Sequence, residues 1–396
     1  MRRATAFLFF SLVCCRGAAP QKPQDADIGR LIDSLRPAVE RATGLAFKRP
    51  TRWAMKNKDE VREFLLEKLR QEFPAERQEG VEAVYRLLGL VPDSVNLKSL
   101  LLDLYTEQVA GYYDPATSTL YAVRGAEPTT LRVVIAHELV HALQHQYLPL
   151  DSILKKQADS DQQTAAQTVL EGHAMLDGLL ALAPDPNLLR QPQYWTLIRD
   201  QVRGAAATMP VFTKAPQVLR EEMIFPYLNG AEWIRWWDSA HAGHPLPTVA
   251  ELPRSTEQIL HPDRYARGDQ PIPVRFDDAE PPLYEDTMGE REIQVLATVL
   301  RGGGEVLEDG ALGWGGDRFR AYRTPGGPAL VWYIAWDDAA SAQRFMSAAG
   351  ARLAQRQRAG YRSSVDSVAG SVQPTIRVVI APVAWNRWNS VPALRH

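Results

Sequence analysis

Cysteine is almost absent from this chain. Its two cysteines, Cys14 and Cys15, are adjacent near the start, and none follows. A disulfide scaffold, a cysteine-type zinc finger and a cysteine nucleophile in the body of the protein are excluded. A surplus of one charge is also missing, since 45 Lys and Arg stand against 47 Asp and Glu, a net charge of −2. Without excess cations to neutralise a phosphate backbone, no nucleic-acid partner is expected. Beyond the first residues no apolar run reaches the roughly 20 residues of a spanning helix, so no transmembrane helix is expected in the mature chain. Internal repeats and low-complexity tracts are absent too. What remains, 45% apolar and 23% charged over 396 residues, is the balance of a globular protein with its own core and two or three domains.

The first residues have the layout of an export signal. Arg2 and Arg3 precede the apolar run from Ala4 to Cys15, and Gly17, Ala18 and Ala19 follow. A positive start, a run of about 12 apolar residues and small residues after it predict a signal peptide over 1–19 and an exported protein, periplasmic or extracellular. Leu12-Val13-Cys14-Cys15 loosely resembles a lipoprotein box. Two readings stay open: a cleaved signal with no lipid, and a lipid anchor at Cys15.

The hydrophobic period then divides the chain. Over 20–108 it is helical: Ile28, Leu31, Ile32, Leu35 and Val39 share one face, interrupted by Pro37. Asn57 with Glu60 is a capping-box start, and Asn96 is a second cap. Over 109–267 the pattern predicts the core that carries the chemistry. Val109–Tyr113 and Thr119–Val123 are rich in β-formers around the turn Asp114-Pro115-Ala116-Thr117, which predicts a hairpin. A long helix follows from Pro128 to about Tyr147, and a second from about Thr164 to Leu182. A helix over Gln217–Ala240 is expected to break at Pro226. Prolines and aspartates mark 268–285 as a linker, and 286–396 reads as a smaller mixed α+β domain. The fold class is α+β, mainly helical before the linker.

The strongest chemical signal is His137-Glu138-Leu139-Val140-His141. Residues four apart share a helix face, so both imidazoles reach one metal, and the adjacent glutamate can take a proton from water. The flanking residues are apolar nearly all round, so the helix is buried, and burying two histidines and a glutamate is costly unless a cation compensates. The alternative is a pair of core histidines satisfied by hydrogen bonds. A zinc site needs a third ligand. His145 sits eight residues from His137, about 12 Å along the axis, too far to share a metal. Glu171, on the following helix, is the candidate, and His173 is its rival. Two residues along a helix turn by about 200°, so the two cannot both face the metal. His173 pairs naturally with Asp177 at i+4.

With Glu171 as ligand the pattern is that of a gluzincin. More closely, the chain resembles a group of uncharacterised bacterial exported gluzincin-like zinc metallopeptidases. The matching stretches are Ala110–Pro115, His137–Gln146 (HELVHALQHQ), Leu170-Glu171-Gly172, Phe225-Pro226-Tyr227, Ser255–Pro262 (STEQILHP) and Gly313–Arg318. Relatives commonly have Asp where this chain has His145 and His173. The resemblance implies a zincin-like catalytic domain, a zinc ion on His137, His141 and Glu171, Glu138 as general base, and a peptide or protein substrate. His261 and Tyr227, both in matching stretches, are candidate hydrogen-bond donors to the oxyanion. The strand Thr119–Val123 is expected to be an edge that pairs with extended substrate. Two other functions stay open: an envelope binding or assembly protein with a non-proteolytic zincin fold, and a zinc hydrolase of a non-peptide amide.

Overall fold

The computed structural model describes residues 25–394 except 184, 186, 188–190 and 278. The export segment, Cys14 and Cys15 lie outside the described residues. The architecture is α+β, with helices gathered around a three-stranded sheet and a five-stranded sheet following them.

Helix α1 (Asp25–Thr43) runs through Pro37. A proline removes one backbone donor, but Ile28, Ile32, Leu35 and Val39 are all buried on one face, and that packing keeps the helix continuous. The stretch after it departs from the helical expectation: Arg52–Lys56 forms a strand, β1. Five residues carry too little periodicity to reveal a strand that only its partner stabilises. Helix α2 (Lys58–Glu72) starts at the Asn57–Glu60 capping box, and α3 (Ala75–Leu88) ends at Gly89 in the left-handed conformation. Helix α4 (Leu97–Gln108) is capped by Asn96.

The hairpin forms as β2 (Gly111–Asp114) and β3 (Thr119–Val123), antiparallel, with Tyr112 opposite Tyr121. Strand β1 pairs parallel to β3 on its other side, Arg52 opposite Thr119, giving the order β1-β3-β2. The central place of β3 corrects the expectation for Thr119–Val123. Both of its edges already hold hydrogen-bonded neighbours, so it has no free edge to offer an extended peptide.

Helix α5 (Pro128–Gln144) begins with proline in its first turn and stops three residues short of Tyr147. Helix α6 (Ser160–Leu182) is capped by Asp159 and starts four residues before Thr164. The two pack closely because α6 is glycine-poor except where it must approach: a Cβ on Gly178 would come within 3.2 Å of the His137 backbone. Helix α7 (Gln217–Ala240) continues through Pro226 instead of breaking there. It crosses α6 at a glycine pair. A Cβ on Gly172 would lie 2.0 Å from the Gly230 carbonyl carbon, so neither position tolerates a side chain without separating the helices.

Short helix α8 (Thr256–Leu260) is tied to the start of α6, since the Thr256 amide donates to Asp161 Oδ1 at 3.1 Å. After the coil around 268–282 come β4 (Tyr284–Asp286) and α9 (Gly289–Leu300). Strands β5 (Trp314–Tyr322), β6 (Ala329–Trp336), β7 (Tyr361–Ser367) and β8 (Thr375–Pro382) complete a sheet ordered β4-β5-β6-β8-β7. The glycines of Gly313–Gly316 serve a bulge at the start of β5, where the Ile272 carbonyl passes directly over Gly316. One apolar cluster joins the N-terminal helices, the site helices and this sheet, from Val61 through Leu170, Ile234 and Leu296 to Trp332.

Candidate metal centre

Helix periodicity places His137 and His141 one turn apart on α5. The crossing of α6 over α5 brings Glu171 against them. His137 Nε2 lies 3.0 Å from His141 Nε2, and Glu171 Oε2 lies 3.2 Å from the first and 3.4 Å from the second. Ligand atoms bound at about 2.0–2.1 Å in a tetrahedron stand about 3.3 Å apart, and all three spacings fall close to that value. All three residues are buried, Glu171 and His141 completely, and Glu171 Oε1 has no hydrogen-bond partner. Three electron-pair donors packed together, one of them with a buried orphan oxygen, are what a cation would satisfy. This buried group can hold a metal ion.

The electrostatics agree. Burial lowers the pKa of His137, against the opposing hydrogen bond from Glu171, and burial lowers His141 to about 3. Both shifts favour the neutral imidazole, the form that ligates a metal. Burial raises Glu171, offset chiefly by its contact with His137.

The orientation of His141 is set by a residue that the motif does not single out. Gln144, fully buried, donates from Nε2 to the Leu170 carbonyl at 2.9 Å and lies 3.0 Å from His173 Nδ1. Its amide nitrogen being so placed, its Oε1 faces His141 Nδ1 at 2.8 Å and accepts that proton. The tautomer left on His141 has its lone pair on Nε2, toward Glu171. His173 Nε2 in turn lies 3.0 Å from Asp177 Oδ2. His173 thus faces away from the cluster and supports Gln144. The i+3 spacing from His141 to Gln144 was the one sequence clue to this contact.

Glu138 is also fully buried, and the Tyr113 amide donates to its Oε2 at 2.7 Å. That donor comes from β2, so the hairpin fixes the carboxylate. The Tyr113 hydroxyl lies 2.9 Å from His145 Nδ1, which ties half-buried His145 to the same strand. Tyr227 packs its ring 5.9 Å from that of His137. His261 is placed differently. Its Nε2 lies 3.0 Å from Glu290 Oε1 on α9, and this carboxylate raises its pKa. His261 is half-buried, and among the described residues its side-chain hydrogen bond runs to Glu290.

Beyond the centre, a cavity of about 260 Å³ is bounded by α2, α3, α4, α6, α7 and the sheet, with Gln167 and Tyr227 in its wall.

Comparison with known proteins adds little to this geometry. A family described as a domain of unknown function, DUF8575, matches residues 282–381, which is the five-stranded sheet and not the metal centre. No curated protein matches the chain. Among solved structures, a crystal structure described as "a putative hydrolase with a novel fold from Chloroflexus aurantiacus" aligns at 16% identity and a TM-score of 0.36. The alignment covers 61% of this chain and 89% of that one.

Proposed function

We propose that the protein is an exported zinc-dependent metallopeptidase of gluzincin type, with His137, His141 and Glu171 as metal ligands and Glu138 as general base. The observation that carries this reading is the triangle of Nε2, Nε2 and Oε2 at 3.0, 3.2 and 3.4 Å with a buried, unpartnered oxygen on Glu171. Two nitrogens and one carboxylate oxygen in near-tetrahedral spacing suit zinc better than calcium or magnesium, which take oxygen sets of higher coordination number.

Zinc, when bound, lowers the pKa of water and polarises a carbonyl oxygen. The chain's own residues do the rest. Glu138 accepts the proton of the attacking water and returns it to the leaving amine. The Tyr113 amide holds that carboxylate in place. Gln144 keeps the Nε2 lone pair of His141 directed inward. Tyr227, whose ring packs against His137, is the candidate to donate to the developing oxyanion.

A binding or assembly protein with the same fold needs the ligands but not a positioned base, and the fixed Glu138 favours hydrolysis. The deciding experiment measures metal content and proteome-wide cleavage for wild type and Glu138→Gln. The variant should keep one zinc and its fold and lose turnover by about 10²–10⁴-fold. Wild type that takes up no metal in zinc-supplemented buffer would sink the reading.

A further inference from the structure

The cavity shares a wall residue with the candidate metal centre, Tyr227, which packs on His137. On α6 its wall contains Ser160, Thr164 and Gln167, a stripe whose next member at helical spacing is Glu171. On α7 it contains Glu222 and Met223, then Pro226 and Tyr227, the residue packed on His137. Both helices therefore lead from the cavity to the metal ligands.

The cavity also carries carboxyl groups in its wall. Glu222 on α7 and Glu292 on α9 both line it, and each has one buried carboxylate oxygen, Oε1, with no hydrogen-bond partner. Glu72 on α2 lines it as well. Arg291 pairs with Glu221 at 2.9 Å and also lowers the pKa of Glu222, and Arg77, in the cavity wall, donates to the Glu72 carbonyl, but neither hydrogen-bonds the two orphan oxygens. The rest of the wall mixes apolar and aromatic residues such as Phe73, Leu101 and Tyr105 with Arg77, Gln108, Asp286 and Thr287. Burial raises the pKa of Glu222 to about 7, against the lowering influence of Arg291, and burial with the neighbouring Glu222 raises Glu292 well above its ordinary value, against a hydrogen bond with Tyr85. Two buried carboxyl oxygens without hydrogen-bond partners, in a cavity with much apolar wall, would be satisfied by a cation on an apolar stem.

Distance selects the kind. Glu222 precedes Tyr227 by five residues, about 7.5 Å along the helix. A lysine or arginine side chain has the reach and the apolar stem for that span. We propose that this cavity receives a basic side chain of the substrate, lysine or arginine, next to the bond to be cleaved, with Glu222 and Glu292 holding the cation. The proposal rests on the hydrolase reading above for its substrate, but its binding chemistry is testable without turnover.

The test uses the full chain carrying Glu138→Gln, loaded with zinc. Acetyl-lysine amide, acetyl-arginine amide and acetyl-norleucine amide are titrated by calorimetry. The basic amides should bind about tenfold or more tighter than norleucine amide, which has a similar stem and no charge. That preference should vanish when Glu222→Gln and Glu292→Gln are added, with circular dichroism and zinc content checked. Equal binding of norleucine amide, no binding of any of the three, or a preference that survives loss of both carboxylates overturns the pocket. If the double replacement does not fold, the comparison of lysine with norleucine on the otherwise intact chain still decides. Selective binding with no cleavage of any lysine peptide by wild type would keep the pocket and remove the hydrolase. Cleavage indifferent to basic residues would do the reverse.

Discussion

Gln144 accepts the Nδ1 proton of His141 at 2.8 Å, and this one contact sets which nitrogen of His141 faces Glu171. The glutamine can do so because Leu170 and His173 take up its amide nitrogen on the other side. The supporting residues thus come from α6, the helix that also supplies Glu171, so one packing event assembles both the candidate ligand and the orienting group.

Gln144→Met keeps the volume and removes the acceptor. Metal affinity should fall by about 10–100-fold, the usual effect of losing such a partner, while helical content stays unchanged. Competition against a chromogenic chelator reads this directly. An unchanged affinity would show that the tautomer of His141 is fixed by something else.

Glu171 and His173 can be separated by the same assay. Glu171→Ala removes a carboxylate that lies 3.2 and 3.4 Å from the two imidazole nitrogens. His173→Ala leaves the three donors in place and removes only a prop for Gln144. The first should abolish stoichiometric zinc in purified protein, and the second should weaken it by about 10-fold. Equal losses, or a larger loss for His173→Ala, would contradict the assignment of Glu171.

The glycine crossing of α6 and α7 gives a stability prediction. An alanine at Gly172 would place its Cβ 2.0 Å from backbone carbon of Gly230, which no side-chain rotation relieves. Overpacking of this kind costs about 1–3 kcal/mol, and backbone contact puts it at the upper end. Because Glu171 is the preceding residue, Gly172→Ala should lower both the urea midpoint and metal affinity. A variant that unfolds with wild-type behaviour would mean the helices separate freely.

Glu72 predicts a pH effect on stability. Burial raises its pKa from an ordinary 4.5 to about 8, against the lowering influence of Lys68, Lys155 and Arg77 and with a raising contribution from Asp114. Between those values the folded chain holds a proton that the unfolded chain has lost. Stability from this group therefore falls as pH rises from about 4.5 to about 8, and levels above that. Glu72→Gln is neutral throughout, so its melting temperature should decline less across that window than that of wild type. Parallel curves would show that Glu72 is ionised in the folded protein.

Much of this protein was legible in its residues because the relevant physics is local. A 3.6-residue period puts His137 and His141 on one face wherever the helix packs, and Asn57, Glu60 and Asn96 cap helices through contacts within four residues. The β-rich runs around Asp114–Thr117 form a hairpin because the turn joins neighbours in sequence. The remainder depends on partners far along the chain. A strand as short as β1 exists only because β3 is beside it, and its arrival turns β3 from an edge into the centre. Pro37 and Pro226 do not break their helices because burial of the flanking faces outweighs one missing backbone bond. His261 follows Glu290 on α9, a choice invisible from the residues around it. Sequence limited the candidate metal centre to two histidines and one of two residues on a second helix. The glycine-bordered packing of α6 between α5 and α7 selected Glu171, because only the tertiary crossing decides which face of that helix meets the imidazoles.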